Sequence, residues 1–293
     1  MGLSRRARAS AGRRPTLPDF RDAAGRVHLA VHRGAASGRA VFGLRSPLFE
    51  ERWQDEVATS AVNTAVGVLG QDVTIERVLE LTRGAMNSTS RLVLGLLSHA
   101  PHGAIACRAG CDHCCHVTVG VTLPEALTIF DHLAQSLSVE ALNELKSRIA
   151  AFRERTRGLS SAERFSPEYP CVFLAAGRCS IYEVRPFACR GMNSLDATEC
   201  ETRLRDPAAR QQFAAQGGGR LFLEPVRAFR AVSAGLQIGL AELYNLDMRP
   251  LELSAAMHLL FESGATRIRA WLSGQNAFGD AAIDSFRTPA EAR

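Results

Sequence analysis

Eight cysteines stand in two groups, Cys107, Cys111, Cys114 and Cys115, then Cys171, Cys179, Cys189 and Cys200, and the rest of the chain has none. Thiolates are soft donors, so clustering of this kind means either metal chemistry or a disulfide framework. The run Cys107-Arg-Ala-Gly-Cys111-Asp-His-Cys114-Cys115 sets thiols at i, i+4, i+7 and i+8. Gly110 favours a loop with free backbone turns, which lets several sulfurs converge on one point. Adjacent Cys114 and Cys115 can hardly bridge each other, and each would need a distant partner of matched geometry, so disulfides fit poorly. A single structural zinc takes four ligands in a tetrahedron. The surplus of thiols therefore favours an iron–sulfur cluster, a multinuclear site or two separate sites.

The second group lies in Pro170-Cys171-Val-Phe-Leu-Ala-Ala-Gly-Arg-Cys179-Ser-Ile-Tyr-Glu-Val-Arg-Pro-Phe-Ala-Cys189-Arg190. Taken with the first, it resembles the YkgJ family of cysteine-cluster proteins, also called the CxxCxxCC or zinc- or iron-chelating domain. The resemblance runs over about 107–195 and rests on the cysteines together with Ser180, Ile181, Tyr182, Arg185, Pro186 and Arg190. It implies zinc or iron ligation by Cys107, Cys111, Cys114, Cys115, Cys171, Cys179 and Cys189, and the surplus of thiols places an iron–sulfur cluster ahead of zinc. Cys200 follows the core block and is either an additional ligand or a free thiol. Several thiolates around a metal carry net negative charge, which Arg185 and Arg190 could offset and Tyr182 could meet with a hydrogen bond. The plainer readings are an ion pair of Arg185 with Glu183 and a packed aromatic at Tyr182. Pro186 fixes φ ahead of Cys189. His113 and His116 are alternative ligands that a site rich in sulfur does not need.

Three functions are open to such a chain: a metal-binding or electron-transfer module with a protein partner, an enzyme, or a protein that stores or passes zinc or iron. Cys107-x3-Cys111-x2-Cys114 has the spacing of the radical S-adenosylmethionine motif. Enzymes of that kind use a barrel of alternating strands and helices, whereas the segments after Cys115 read as helical. Flagellin lysine N-methylases are similar in carrying this cysteine domain, which implies protein methylation, yet no glycine-rich methyl-donor loop is visible. No serine–histidine pair, P-loop or paired-carboxylate arrangement stands out.

Five arginines, Arg5, Arg6, Arg8, Arg13 and Arg14, crowd the first fourteen residues without an acid. Of 35 basic residues, removing these five leaves 30 against 30 acidic ones, so the body is neutral and lacks the basic face that nucleic-acid binding calls for. The tail has no apolar stretch for a secretory or twin-arginine signal, and Arg6 stands where myristoylation wants Ser or Thr. Its composition suits a mitochondrial transit peptide or, more plainly, a disordered basic tail. Lys146 is the only lysine, a bias expected of a GC-rich bacterial genome. No apolar run approaches the roughly 20 residues of a membrane span. The expectation is a cytoplasmic bacterial protein with reduced thiols.

The architecture expected around the thiols is mainly α, with an irregular cysteine-rich metal-binding core packed among helices. Residues 1–45 read as basic tail and lead-in, 46–100 as a helical segment, 101–215 as the cysteine-cluster domain and 216–293 as a second helical segment. Trp53, Val57, Ala61 and Ala65 trace the first helix. Ile75, Val78 and Leu79, resuming with Leu92, Leu96 and Leu97, trace another that Gly84 could break. Val117, Val119 and Val121 alternate as a short strand. Thr122 to Glu125 reads as a capping box opening a helix, and Ser138 caps the next. The segment from Tyr169 to Cys200 reads as mostly irregular, and Gly217 to Gly219 as a turn or hinge. Val226, Phe229, Val232, Leu236, Leu240 and Leu243 lie on one long helix, where Gly235 and Gly239 permit close packing in a core rather than in a membrane. Pro250 should start a further helix, with a short third from Ile268 to Leu272.

Overall fold

In the computed structural model, small residues decide which helices meet. The structure describes residues 28–33, 40–45, 49, 51–98, 100, 104–215 and 219–283; the basic tail and Gly217 and Gly218 of the expected hinge lie outside them. In chain order the elements are β1 (His28–Arg33), β2 (Ala40–Arg45), α1 (Arg52–Leu69), α2 (Ile75–Ser98), β3 (Gly120–Val121), α3 (Leu123–Ser136), α4 (Val139–Arg155) and α5 (Ser161–Arg164). They continue with β4 (Leu174–Ala175), β5 (Arg178–Cys179), α6 (Phe187–Gly191), α7 (Ala197–Arg205), α8 (Pro207–Ala215), α9 (Leu223–Tyr244), β6 (Leu251–Glu252) and α10 (Leu253–Leu272). The chain is mainly α, as its periodicity implies. Among the described residues strands pair only two by two, so the alternating barrel of the radical enzymes is not there. No described helix is long and apolar enough to cross a membrane.

Helix α9 is the axis of the core, with Ala228, Ala231, Ala234, Ile238 and Leu240 fully buried. Its closest neighbour is α1, which buries Ala58, Val62 and Ala65 against it. A Cβ on Gly235 would run into the Ala58 carbonyl oxygen and stand 2.9 Å from Ala58 Cα, whereas one on Gly239 would sit 3.6 Å from Val62 Cα. The glycine pair thus serves core packing. Gly84 does not break α2: the flanking Leu81, Thr82, Ala85 and Met86 are all buried, and their packing outweighs the roughly 1 kcal/mol helical cost of one glycine. Leu92, expected on the buried side, is exposed, and Val93 turns inward instead.

Two stretches of the lead-in, 28–33 and 40–45, pair as antiparallel strands, β1 with β2. The side chains of α1 satisfy the outer edge of β2: Phe42 N–H donates to Asn63 Oδ1 at 2.9 Å, Asn63 Nδ2 donates to the Phe42 carbonyl at 2.8 Å, and Leu44 N–H donates to Thr59 Oγ1 at 2.9 Å. Downstream, the expected strand is real but short. Gly120 and Val121 pair with Glu252 and Leu251, which ties the start of α3 to the start of α10. Pro250 precedes that strand rather than opening a helix; α10 begins at Leu253, where the Glu252 carboxylate caps Ser254 and Ala255 N–H at 3.1 and 2.8 Å. The short third helix expected at Ile268 is the far half of α10, which kinks at Ser263.

Candidate metal centre

Three backbone devices bring the cysteine groups together. The first loop is anchored where Ala106 N–H donates to the Ser194 carbonyl at 2.8 Å. It then enters a 3-10 turn, His113–His116, that carries Cys114 and Cys115. Cys171 N–H donates to the Cys115 carbonyl at 2.7 Å, which stitches the second group directly onto the first. From there β4 and β5 form a two-residue hairpin through Ala176 (φ 49°) and Gly177 (φ 71°). Two successive left-handed residues are what a tight hairpin turn demands, and they set Cys179 beside the first group. Ala176 bears a Cβ in that region, so Ala176→Gly should stabilise the chain by about 0.5–1 kcal/mol, read as a higher urea midpoint.

The segment read as irregular closes with two helices. Pro186 (φ −56°) caps α6, which carries Cys189 and docks on α9 through Phe187 and Phe229, ring centroids 5.9 Å apart. Glu125 pins that helix. Its Oε1 accepts Phe187 N–H at 2.8 Å, while its Oε2 accepts Thr122 N–H and Thr122 Oγ–H, each at 2.8 Å. The capping box of α3 therefore doubles as the anchor of the Cys189 helix. Cys200 lies on α7, whose N-cap is Asp196.

Six of the thiols, Cys111, Cys114, Cys115, Cys171, Cys179 and Cys189, line one cavity of about 430 Å³. Cys107 and Cys200 are not in its wall but meet at Ser194: Ser194 N–H donates to Cys107 Sγ at 3.1 Å, and Cys200 Sγ–H donates to Ser194 Oγ at 3.1 Å. Ser194 therefore links Cys200 to Cys107. Cys114 shares the cavity wall with Cys171, Cys179 and Cys189, so thiols of both groups meet in one cavity. All eight cysteines are free thiols. Among the described residues no three thiol, imidazole or carboxylate groups stand together as a group that could hold a metal ion. In donor type and number the thiols lining the cavity fit zinc or an iron–sulfur centre.

Burial pushes five of these thiols up from their ordinary range. It raises Cys171 to about 11, and raises Cys107, Cys179, Cys189 and Cys200 as well. Cys114 is raised first by its contact with the Cys115 thiol and only then by burial, consistent with its partly open position. Without a cation Cys107, Cys114, Cys171, Cys179, Cys189 and Cys200 therefore keep their protons at neutral pH, and metal entry at these thiols must release them. A folded-state thiol value raised above the unfolded one near 9 gives stability that is complete below pH 9 and lost as the buried thiols ionise. The urea midpoint of metal-free protein should accordingly hold steady to pH 9 and decline toward about 11. A midpoint unchanged over that window would contradict this electrostatic picture.

Arg185 is the cation that opposes this. It lines the cavity and favours the thiolate of Cys107, Cys114, Cys179 and Cys189. The ion pair with Glu183 is not formed. The Arg185 guanidinium instead lies 4.1 Å over the exposed Tyr182 ring, whose hydroxyl bonds to no sulfur among the described residues. Arg190 works through backbone: its Nε donates to the Arg185 carbonyl at 2.8 Å, its Nη2 to the Glu183 carbonyl, and its Nη1 to Ser90 Oγ at 2.9 Å. It staples the Arg185 turn to α2. His116 is buried with Nδ1 3.3 Å from the Ser166 carbonyl, His113 Nδ1 lies 3.9 Å from Asp112, and neither lines the cavity.

Residues 106–207 match the family model CxxCxxCC, described as "Putative zinc- or iron-chelating domain". The match supports a metal-binding role for that stretch, and it is to the domain as a whole, without singling out the YkgJ proteins. No curated protein and no solved structure matches the chain.

Proposed function

We propose, starting from the CxxCxxCC match over 106–207, that this is a metal-binding protein whose thiol band holds one polynuclear centre, an iron–sulfur cluster ahead of zinc. The observation that carries the reading is one cavity lined by thiols of both cysteine groups, Cys114 among them. Ligands would be drawn from Cys107, Cys111, Cys114, Cys115, Cys171, Cys179 and Cys189, with Cys200 entering from the Ser194 side. One zinc uses four donors, so six thiols on a single wall exceed its need. Such a centre, when bound, supplies electron transfer or Lewis acidity. The chain's own part is to hold the sulfurs through Glu125, Ser194 and the Cys171–Cys115 backbone bond, and to offset their charge with Arg185. The metal-binding unit is residues 101–215, with 46–100 and 216–293 as its helical scaffold, and its working compartment is the reducing bacterial cytoplasm.

A second reading, handling of zinc or iron, draws on the exposure of Cys107 and Cys114, which would let an acceptor's ligands reach a bound ion. Methylation like that of flagellin lysine N-methylases gains no further support from the site. Anaerobic purification followed by metal and acid-labile sulfide analysis separates these readings. A coloured protein with iron and sulfide in similar amounts is expected. Tight zinc at one or two per chain, colourless, would refute the cluster; labile zinc below one per chain would favour handling.

A further inference from the structure

The sulfurs occupy only part of the cavity. At about 430 Å³ it falls within the range of small-molecule sites, and much of its remaining wall is apolar: Val117, Val119, Phe173, Ile181, Met192 and Leu253. Three arginines, Arg108, Arg178 and Arg185, are also among the lining residues. Among the described residues none of the three is paired with a carboxylate. Arg185 is accounted for by the thiols, although its Nε is buried without a partner. Arg108 and Arg178 are both exposed. They reach the cavity from the two cysteine groups, Arg108 beside Cys107 and Arg178 beside Cys179. Two cationic residues therefore share the cavity's lining with an apolar wall.

We propose that this cavity binds a small organic carboxylate beside the metal centre, its apolar body against Val119, Phe173 and Leu253 and its carboxylate between Arg108 and Arg178. The guanidinium fork matches a carboxylate in shape and charge. The site goes beyond metal chelation, since metal binding requires neither arginine.

The test uses the full chain as purified with its metal, titrated calorimetrically with 4-phenylbutanoate and with its neutral counterpart 4-phenylbutanol. The acid should bind once per chain, about tenfold more tightly than the alcohol. The double variant Arg108→Ser/Arg178→Ser should remove that difference while alcohol binding and metal content stay as they were. Raising salt from about 0.05 to about 0.5 M on the unaltered chain should weaken the acid alone, a measurement that stands even if the variant does not fold. Equal affinity for acid and alcohol, no binding of either, or acid binding indifferent to both variant and salt would overturn the proposal. Loss of metal in the double variant would also overturn it, assigning the arginines to the centre. Metal content of the unaltered chain reports separately on the chelation reading.

Discussion

Glu125→Ala should destabilise the protein by about 3–5 kcal/mol and lower its metal content together with it. Glu125 is 2 % exposed and its carboxylate accepts three hydrogen bonds. Truncation leaves Phe187 N–H and Thr122 N–H buried without acceptors, at about 1–3 kcal/mol each, and creates a cavity. Burial raises the Glu125 value while the Thr122 and Phe187 donors pull it down. The site consequence follows from Phe187, which lies two residues before Cys189 at the start of α6. Freed from Glu125, α6 loses its hold on the cavity wall. Thr122→Ala is the control: it removes the α3 cap, about 1 kcal/mol, but leaves the Phe187 bond. Urea unfolding and metal analysis on both variants should show stability falling in each and metal falling only in Glu125→Ala. Equal metal loss would mean that the carboxylate does not position Cys189.

The other large effect belongs to the scaffold. Gly235→Ala should cost about 3 kcal/mol or more, because its new methyl group meets Ala58 backbone, which cannot rotate away, and α1 must separate from α9. Gly239→Ala, one turn along, places a methyl at ordinary contact distance from Val62 and should be neutral or stabilising by up to about 1 kcal/mol from helix propensity. Opposite signs for two glycines four residues apart, measured as urea midpoints, are the expected signature. Similar destabilisation by both would show that the α1–α9 crossing is looser than described.

What the sequence discloses is what repeats locally. The apolar spacing of α1 and α9 and the caps at Thr122 and Ser138 are local, and each forms as read. The thiol grouping is equally visible, because metal chemistry needs many donors close along the chain. Contacts between distant segments leave no such trace. Nothing in a capping box says that its glutamate will also hold Phe187, 62 residues away. Ser194 has no motif, yet it bonds Cys107, 87 residues away, as well as Cys200. The Tyr169–Cys200 stretch reads as irregular because its helices, α6 with five residues and α7 with nine, are too short for a clear period. The β1–β2 pair owes its place to Asn63 and Thr59 on α1, polar residues that a helical wheel assigns to solvent.

The central claim is that both cysteine groups serve one centre, with Cys114 among its ligands. The direct measurement is metal and sulfide content of anaerobically purified Cys114→Ala and Cys189→Ala beside the unaltered chain. A single shared centre predicts that each substitution abolishes most of the bound metal, Cys114→Ala at least as completely as Cys189→Ala. Metal content unchanged by either substitution, or two variants that each keep about half, would contradict it.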